Sequence, residues 1–438
     1  MYYLLLVIGD LNNKKMIYYQ SGSENTVIGN DKLKSVIYET LEKLGPKKRV
    51  LIIPPDFTRF HSRAGDITSI IYDFYRNNIK DILPALGTHS PMTATEISEM
   101  YKDVPEELFR IHDWRNDVVT VGTVPGEFVS ELTEGRLSFT WPAQVNRLVI
   151  NGDHDLIISV GQVVPHEVAG MANYNKNVFV GTGGHETINK SHFLGAVYGM
   201  ERMMGKADTP VRKLLNYASE HFISHLPVLY IHTVIGRDDT GKLVIRGLFA
   251  GDDEDVFRKA ADLSVKVNFN VLEKPLDKVV VYLDPGEFKS TWLGNKAIYR
   301  TRMAMADNGE LIILAPGLKQ FGEDREIDRL IRKYGYRGTP ATLMHLKENE
   351  ELNNNLSAAA HLIHGSTEGR FHVTYCPGSI TREEIESVNF GYADPDQILK
   401  KYNPEELRDG YNTMPDGKVV FYISNPATGL WASKERLI

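Results

Sequence analysis

The stretch VLIIPPDFTRF, residues 50–60, sets the reading of the whole chain. It opens with aliphatic residues and no polar alternation, the pattern of a strand buried on both faces. It then breaks at two prolines and delivers a carboxylate, a hydroxyl and a guanidinium at Asp56, Thr58 and Arg59. Similar runs recur as ILPALGTH (82–89), NRLVING (146–152), DLIISVG (155–161), VLYIHTVIG (228–236), VVVYLDPG (279–286), LIILAPG (311–317), FHVTYCPG (371–378) and VVFYIS (419–424). Helical patterns such as ITSIIYDFYRNNI and AIYRTRMAMADN lie between many of them. Strand alternating with helix predicts an α/β fold of mainly parallel sheets flanked by helices.

A chain of 438 residues exceeds one ordinary core, so two domains are expected, with the active site in the cleft between them. A second strand–helix series begins near KVNFNVLEKPLDKVV (266–280). This sets the domains at 1–272 and 273–412, and the closing segment, about 413–438, can return to the first. Residues 1–15 read either as an extension ahead of Met16 or as an edge strand. Their apolar run is short and soon meets Asp10, which suits neither a secretory signal nor a membrane span. Net charge is −7 with no long basic run, which gives nucleic acid no electrostatic footprint. Cys376 is the only cysteine, so neither an intramolecular disulfide nor a zinc–thiolate cluster can form. A cytoplasmic protein with no membrane or nucleic-acid partner is expected.

Open α/β sheets bind ligands beyond the carboxyl ends of their strands. Asp56, Thr58 and Arg59 fall there, as do His89, after Gly87-Thr88, and His166, in QVVPHE after DLIISVG. Arginine's planar fork matches a carboxylate or phosphate. Asp56 or Thr58 equally fits the N-cap of a helix. Histidine exchanges protons near neutrality, though His89 and His166 each also fit an ordinary loop position. Lys176 lies in AGMANYNKNVFVG, where small residues permit close approach and a desolvated amine is nucleophilic. Its plainer reading is a solvated loop lysine. In GTGG (181–184) the N–H groups of Gly183 and Gly184 could cradle a phosphate, or simply make a turn. His185 and His192 are seven residues apart and share a helix face, but no third protein ligand accompanies them and HExxH is absent.

Taken together, these residues resemble the nickel-pincer-nucleotide lactate racemase family. DFTR is similar to that family's D-x-T-R, GTHSPMT to its G-x-H-R-x-x-T, and PHEVAGMANYNK to its P-H-x-x-A-G-x-x-x-x-x-K loop. His166, Lys176 and His192 keep the family's spacing of ten and then sixteen residues. The resemblance implies a racemase or epimerase of a 2-hydroxy acid. Its cofactor would be nickel held by pyridinium-3-thioamide-5-thiocarboxylic acid mononucleotide, tethered covalently to Lys176, with His192 as the protein's metal ligand. The α-hydrogen would move as hydride to that cofactor and return on either face. His89 and His166 would serve as the two acid/bases, Arg59 would hold the substrate carboxylate, and Asp56 would orient a histidine or contact the cofactor with Thr58. Separate cofactor-biosynthesis enzymes would load the protein, and the reading allows a homodimer.

The second domain matches less closely. STWLGNKAIYR resembles a segment that places an aromatic residue, a glutamine and a lysine at the cleft, which makes Trp292 and Lys296 substrate-binding. Leu293 replaces the glutamine, Met-Ala-Asn-Tyr-Asn replaces a Ser-Gly-Gly-Arg-like run before Lys176, and Arg63 stands where proline is commoner. These changes surround the pocket and leave the acid open, either lactate-like or a larger sugar acid or hydroxy-dicarboxylate. Glu287, Lys289, Asn295, Arg300 and Arg302 either contact such a larger substrate or form a solvated helix face. Two other readings stay open. One is a nicotinamide-dependent 2-hydroxy acid dehydrogenase, although no G-x-G-x-x-G follows a strand. The other is a non-enzymatic acid-binding protein, which gives Lys176 and His192 no use.

Overall fold

A computed structural model describes residues 16–437. Residues 1–15, read above as an extension or an edge strand, lie outside the described residues.

Two six-stranded sheets organise the chain. The first runs in the order Ile17–Gly22, Leu243–Gly251, Val228–Arg237, Leu156–Gln162, Val50–Ile53, Ile79–Ile82. Its last four strands are parallel, and the two at the other edge are antiparallel. Val50–Ile53 and Leu156–Gln162 are buried at every position, as their unbroken apolar runs require. The second sheet runs Gly391–Tyr392, His372–Pro377, Met305–Ala315, Leu276–Tyr282, Val419–Ile423, Gly410–Thr413, parallel except for the last pair. Helices cover both, and the result is a mixed α/β fold rich in parallel strands.

Two local expectations are corrected. NRLVING forms the helix Arg147–Asn151, not a strand, because the Asn146 side chain accepts from Leu148 N–H and caps it at 2.9 Å. A short apolar run carries too little periodicity to separate the two states. ILPALGTH mostly follows its strand, Ile79–Ile82, and keeps only isolated bonds to the neighbouring strand, from Leu83 N–H to Ile52 O and from Ala85 N–H to Pro54 O. The closing segment divides between the two series. Val419–Ile423 pairs with Leu276–Tyr282, and Leu430–Ser433 pairs with Phe269–Leu272, the strand at which the chain crosses between the sheets.

The two halves are pinned together by charge. Glu201, from the first, accepts from Arg302 and Arg370, both at 2.9 Å. The helix Leu356–His364 packs on the helix His185–Tyr198 across the same seam. This contact sets one wall of the cleft against the other.

Candidate active site

The carboxyl ends of the parallel strands supply one face of a cleft. Asp56, Thr58 and Arg59 follow Ile53, His89 follows the strand ending at Ile82, and His166 follows Gln162. All five line a single cavity with Lys176, His192, Trp292 and Lys296. The first half therefore brings its predicted residues together with those of the second.

Asp56 is buried, and its carboxylate is 2.6 Å from His89 Nδ1. Thr58 Oγ1 donates to the other oxygen at 2.6 Å. Asp56 does precede a helical turn, Phe57–Ser62, but its side chain makes no capping bond. Burial pushes the Asp56 carboxyl up. The bonds from His89 and Thr58 and the charge of Arg59 outweigh it and hold the carboxyl below its ordinary value. An ionised Asp56 fixes the proton of neutral His89 on Nδ1, which leaves the Nε2 lone pair at the cleft as a base. Gly87 shapes this loop. Its φ of 58° lies in the left-handed region, and its N–H donates to Gly181 O at 2.8 Å, tying the His89 loop to the lysine loop.

His166 is held in the opposite sense. Its Nδ1 accepts from Val168 N–H at 3.1 Å and Ala169 N–H at 3.4 Å. The neutral ring therefore carries its proton on Nε2, where the nearest charged group is Glu167 at 3.9 Å. Burial, together with Lys176, Arg59 and Arg300, keeps this imidazole well below its ordinary value, and Glu167 opposes that only in part.

Lys176 ends a loop with unusual backbone geometry. Asn173 and Tyr174 stand at φ 69° and 60°, two consecutive left-handed residues without glycine. Side chains hold the loop. Asn177 donates to Asn173 at 2.6 Å, Asn173 bonds His232 at 2.9 Å, and buried Arg212 bonds Asn175 and the Met171 carbonyl. The Tyr174 ring packs on Tyr230 at 4.4 Å and stacks on Phe257 at 5.2 Å. The amine of Lys176 takes no hydrogen bond or ion pair among the described residues. Burial first, and then Arg59, lower it to about 8, so the neutral amine is far more populated near neutrality than in an ordinary lysine, though still the minor form.

His192 lies on the helix His185–Tyr198, and its Nδ1–H donates to Ile188 O at 2.7 Å. This fixes the tautomer with Nε2 unprotonated, the arrangement of a metal-binding histidine. Burial and the Lys176 charge lower it to about 4, which keeps the ring neutral. Among the described residues no group of three or more His, Cys, Asp or Glu is placed to hold a metal ion. A metal at His192 would need donors that a cofactor supplies.

The proposed phosphate cradle is not there. Gly183 and Gly184 do not line the cavity. Their N–H groups donate to Val180 O and Gln144 O, and a Cβ on Gly183 would stand 1.8 Å from Phe179 O. They are close-packing glycines at the foot of a helix. The polar group 287–302 is also corrected. Glu287, Lys289, Asn295, Arg300 and Arg302 do not line the cavity, and the last three are buried rather than solvated. Arg300 Nη1 donates to the Pro165 carbonyl at 2.6 Å, and Asn295 accepts from Tyr375 at 2.7 Å.

Sequence reasoning missed Glu167, Tyr299, His361 and His364, all of which line the cleft. The two histidines sit in AAAHLIH, where a pair three apart in an alanine-rich helix was the available signal. His361 is fully engaged, bonded to Tyr299 at 2.9 Å and Tyr336 at 2.8 Å, with Trp292 against its ring at 4.5 Å. His364 Nε2 is buried without a hydrogen-bond partner.

Comparison with known proteins agrees with this architecture. Residues 27–204 match the lactate racemase N-terminal domain. The lactate racemase of Thermoanaerobacterium thermosaccharolyticum is 24% identical over 323 residues, 70% of this chain and 69% of that one. A Thermotoga maritima protein of known crystal structure superposes with a TM-score of 0.79 at 27% identity, covering 94% of this chain and 100% of that one. The apoprotein structure of the Thermoanaerobacterium thermosaccharolyticum lactate racemase superposes at 0.69 with 19% identity and 94% coverage of each chain, a likeness of fold. Over residues 27–204, then, this chain is similar to the lactate racemase N-terminal domain, and it shares its fold with a lactate racemase apoprotein.

Proposed function

We propose that the protein is a racemase or epimerase of a 2-hydroxy acid, working with a nickel-pincer nucleotide tethered to Lys176. The observation that carries this reading is the pairing of a partner-free, partly buried lysine amine with a histidine whose Nε2 is presented unprotonated in the same cavity. When bound, the group supplies an acceptor for the substrate's α-hydrogen. The remaining work belongs to the chain. Arg59 has no partner among the described residues and is free to grip the α-carboxylate. His89 Nε2 takes the hydroxyl proton of one enantiomer, and Asp56 stabilises the imidazolium that forms. His166 serves the opposite enantiomer, where it must first become the doubly protonated imidazolium if it is to donate from Nε2 and be left neutral. Its turn as base requires the proton to move to Nδ1, where the Val168 and Ala169 amides now bond. Trp292 and Lys296 close the site from the second half and limit water.

The test is intact mass and nickel content of protein co-expressed with the cofactor-making enzymes. We expect a mass increment on the peptide carrying Lys176 and about one nickel per chain, both lost in Lys176→Ala while the fold is kept. An unmodified, nickel-free chain beside a working positive control overturns the reading.

A further inference from the structure

Glu167 is the one anionic side chain in the cleft that the mechanism above does not use. It follows His166, is partly buried, and faces the cavity. Among the described residues its carboxylate is bonded only by its own backbone N–H, and the imidazole nitrogen His166 Nε2 stands 3.9 Å away. Asp56, by contrast, has both oxygens bonded by other side chains. A carboxylate accepts and cannot donate, so the remaining lone pairs of Glu167 are satisfied only by O–H or N–H groups brought to them. Across the cleft, His364 Nε2 is likewise buried and without a partner.

The cations nearby are largely committed. Arg300 is bonded to the Pro165 carbonyl, and its charge, with that of Lys296, acts on Glu167 and helps keep it ionised against burial. Arg59 and Lys296 remain for a substrate, enough for one carboxylate. A second carboxylate placed toward Glu167 would meet a like charge in a partly desolvated cleft, where repulsion is poorly screened. A methyl group there would leave the carboxylate and the imidazole unpaired. Hydroxyl groups satisfy both.

We propose that Glu167, with His364 opposite, makes this site selective for 2-hydroxy acids with a hydroxylated, uncharged tail, and turns away dicarboxylic ones. The proposal rests on the racemase reading and narrows its substrate class.

The test compares inversion at C2 of D-gluconate, L-malate and L-lactate by loaded protein, followed by chiral chromatography. The wild type should favour gluconate over malate by at least tenfold in kcat/KM. Glu167→Gln removes the charge and keeps the shape, and should lower the gluconate-to-malate ratio at least tenfold. His364→Phe should weaken gluconate selectively. Thermal shifts of the unloaded protein with the same three acids give a second readout, and gluconate should stabilise most. If Glu167→Gln does not fold, Glu167→Asp replaces it and should keep the rejection of malate. Malate handled as well as gluconate by the wild type, or a ratio unmoved by Glu167→Gln, overturns the proposal and leaves the racemase reading standing if lactate is inverted. No inversion of any of the three acids by loaded protein removes both.

Discussion

The two walls of the cleft are held by different physics. The first-half wall is built from backbone strain and polar bonds: left-handed Asn173 and Tyr174, the asparagine network around Arg212, and two histidines locked by Asp56 and by backbone amides. The second-half wall is built from rings: Trp292 on His361, with Tyr299 and Tyr336 bonded to the same imidazole. Directional bonds fix the position of a proton, and ring packing fixes only shape and volume. The first wall therefore suits proton transfer and the second suits choosing what fits.

Mutation can break this contrast. The largest effect is expected at His89: His89→Asn should lower turnover by about 10²–10⁴-fold, the usual scale for a general base. Trp292→Leu should change substrate preference with less than a tenfold loss on the best substrate. Steady-state kinetics on several acids decides the matter, and equal losses would erase the distinction between the walls.

Next comes the anchoring of the lysine loop. Tyr174→Ala deletes a buried ring and leaves the left-handed backbone unsupported, with an expected loss of about 3–5 kcal/mol in denaturant unfolding. Tyr336→Phe on the ring wall removes only a hydroxyl and should cost about 0.5–1.5 kcal/mol. A smaller loss at Tyr174 than at Tyr336 would reverse the contrast.

A third check is electrostatic. Burial favours the neutral amine of Lys176, so its acylation in the unloaded protein should rise with a midpoint near pH 8, well below the 10.5 of an ordinary lysine. Removing a neighbouring positive charge eases protonation, so Arg59→Gln should move that midpoint up. Peptide mass spectrometry across pH reads both, and an ordinary lysine profile would contradict the desolvated site. The subtlest check is ¹⁵N NMR of the histidines. His192 should be protonated on Nδ1 and His166 on Nε2; His192 protonated on Nε2 would cancel its role as a metal ligand, and His166 protonated on Nδ1 would contradict its bonds from the Val168 and Ala169 amides.

The first wall was legible in the sequence because its residues come in short motifs at strand ends, where α/β sheets place their ligands. Asp56, Arg59, His89, His166, Lys176 and His192 are each a few residues from an element that could be read locally. Glu167 lay inside a motif, and its value depends on which way a side chain turns, which spacing does not encode. The second wall was harder. Trp292, Tyr299, His361 and His364 sit on short helices up to seventy residues apart, joined only by packing. Gly183 and Gly184 misled because a glycine-rich turn looks the same whether its amides face a phosphate or a carbonyl of the chain. NRLVING misled because a single asparagine cap decided between helix and strand.

The bond from Arg300 to the Pro165 carbonyl joins the second half directly to the residue before His166. It works as a mechanical linkage. Any motion that parts the halves must pull on the backbone that aims this imidazole. The width of the cleft and the aim of its innermost base are therefore one adjustment, not two.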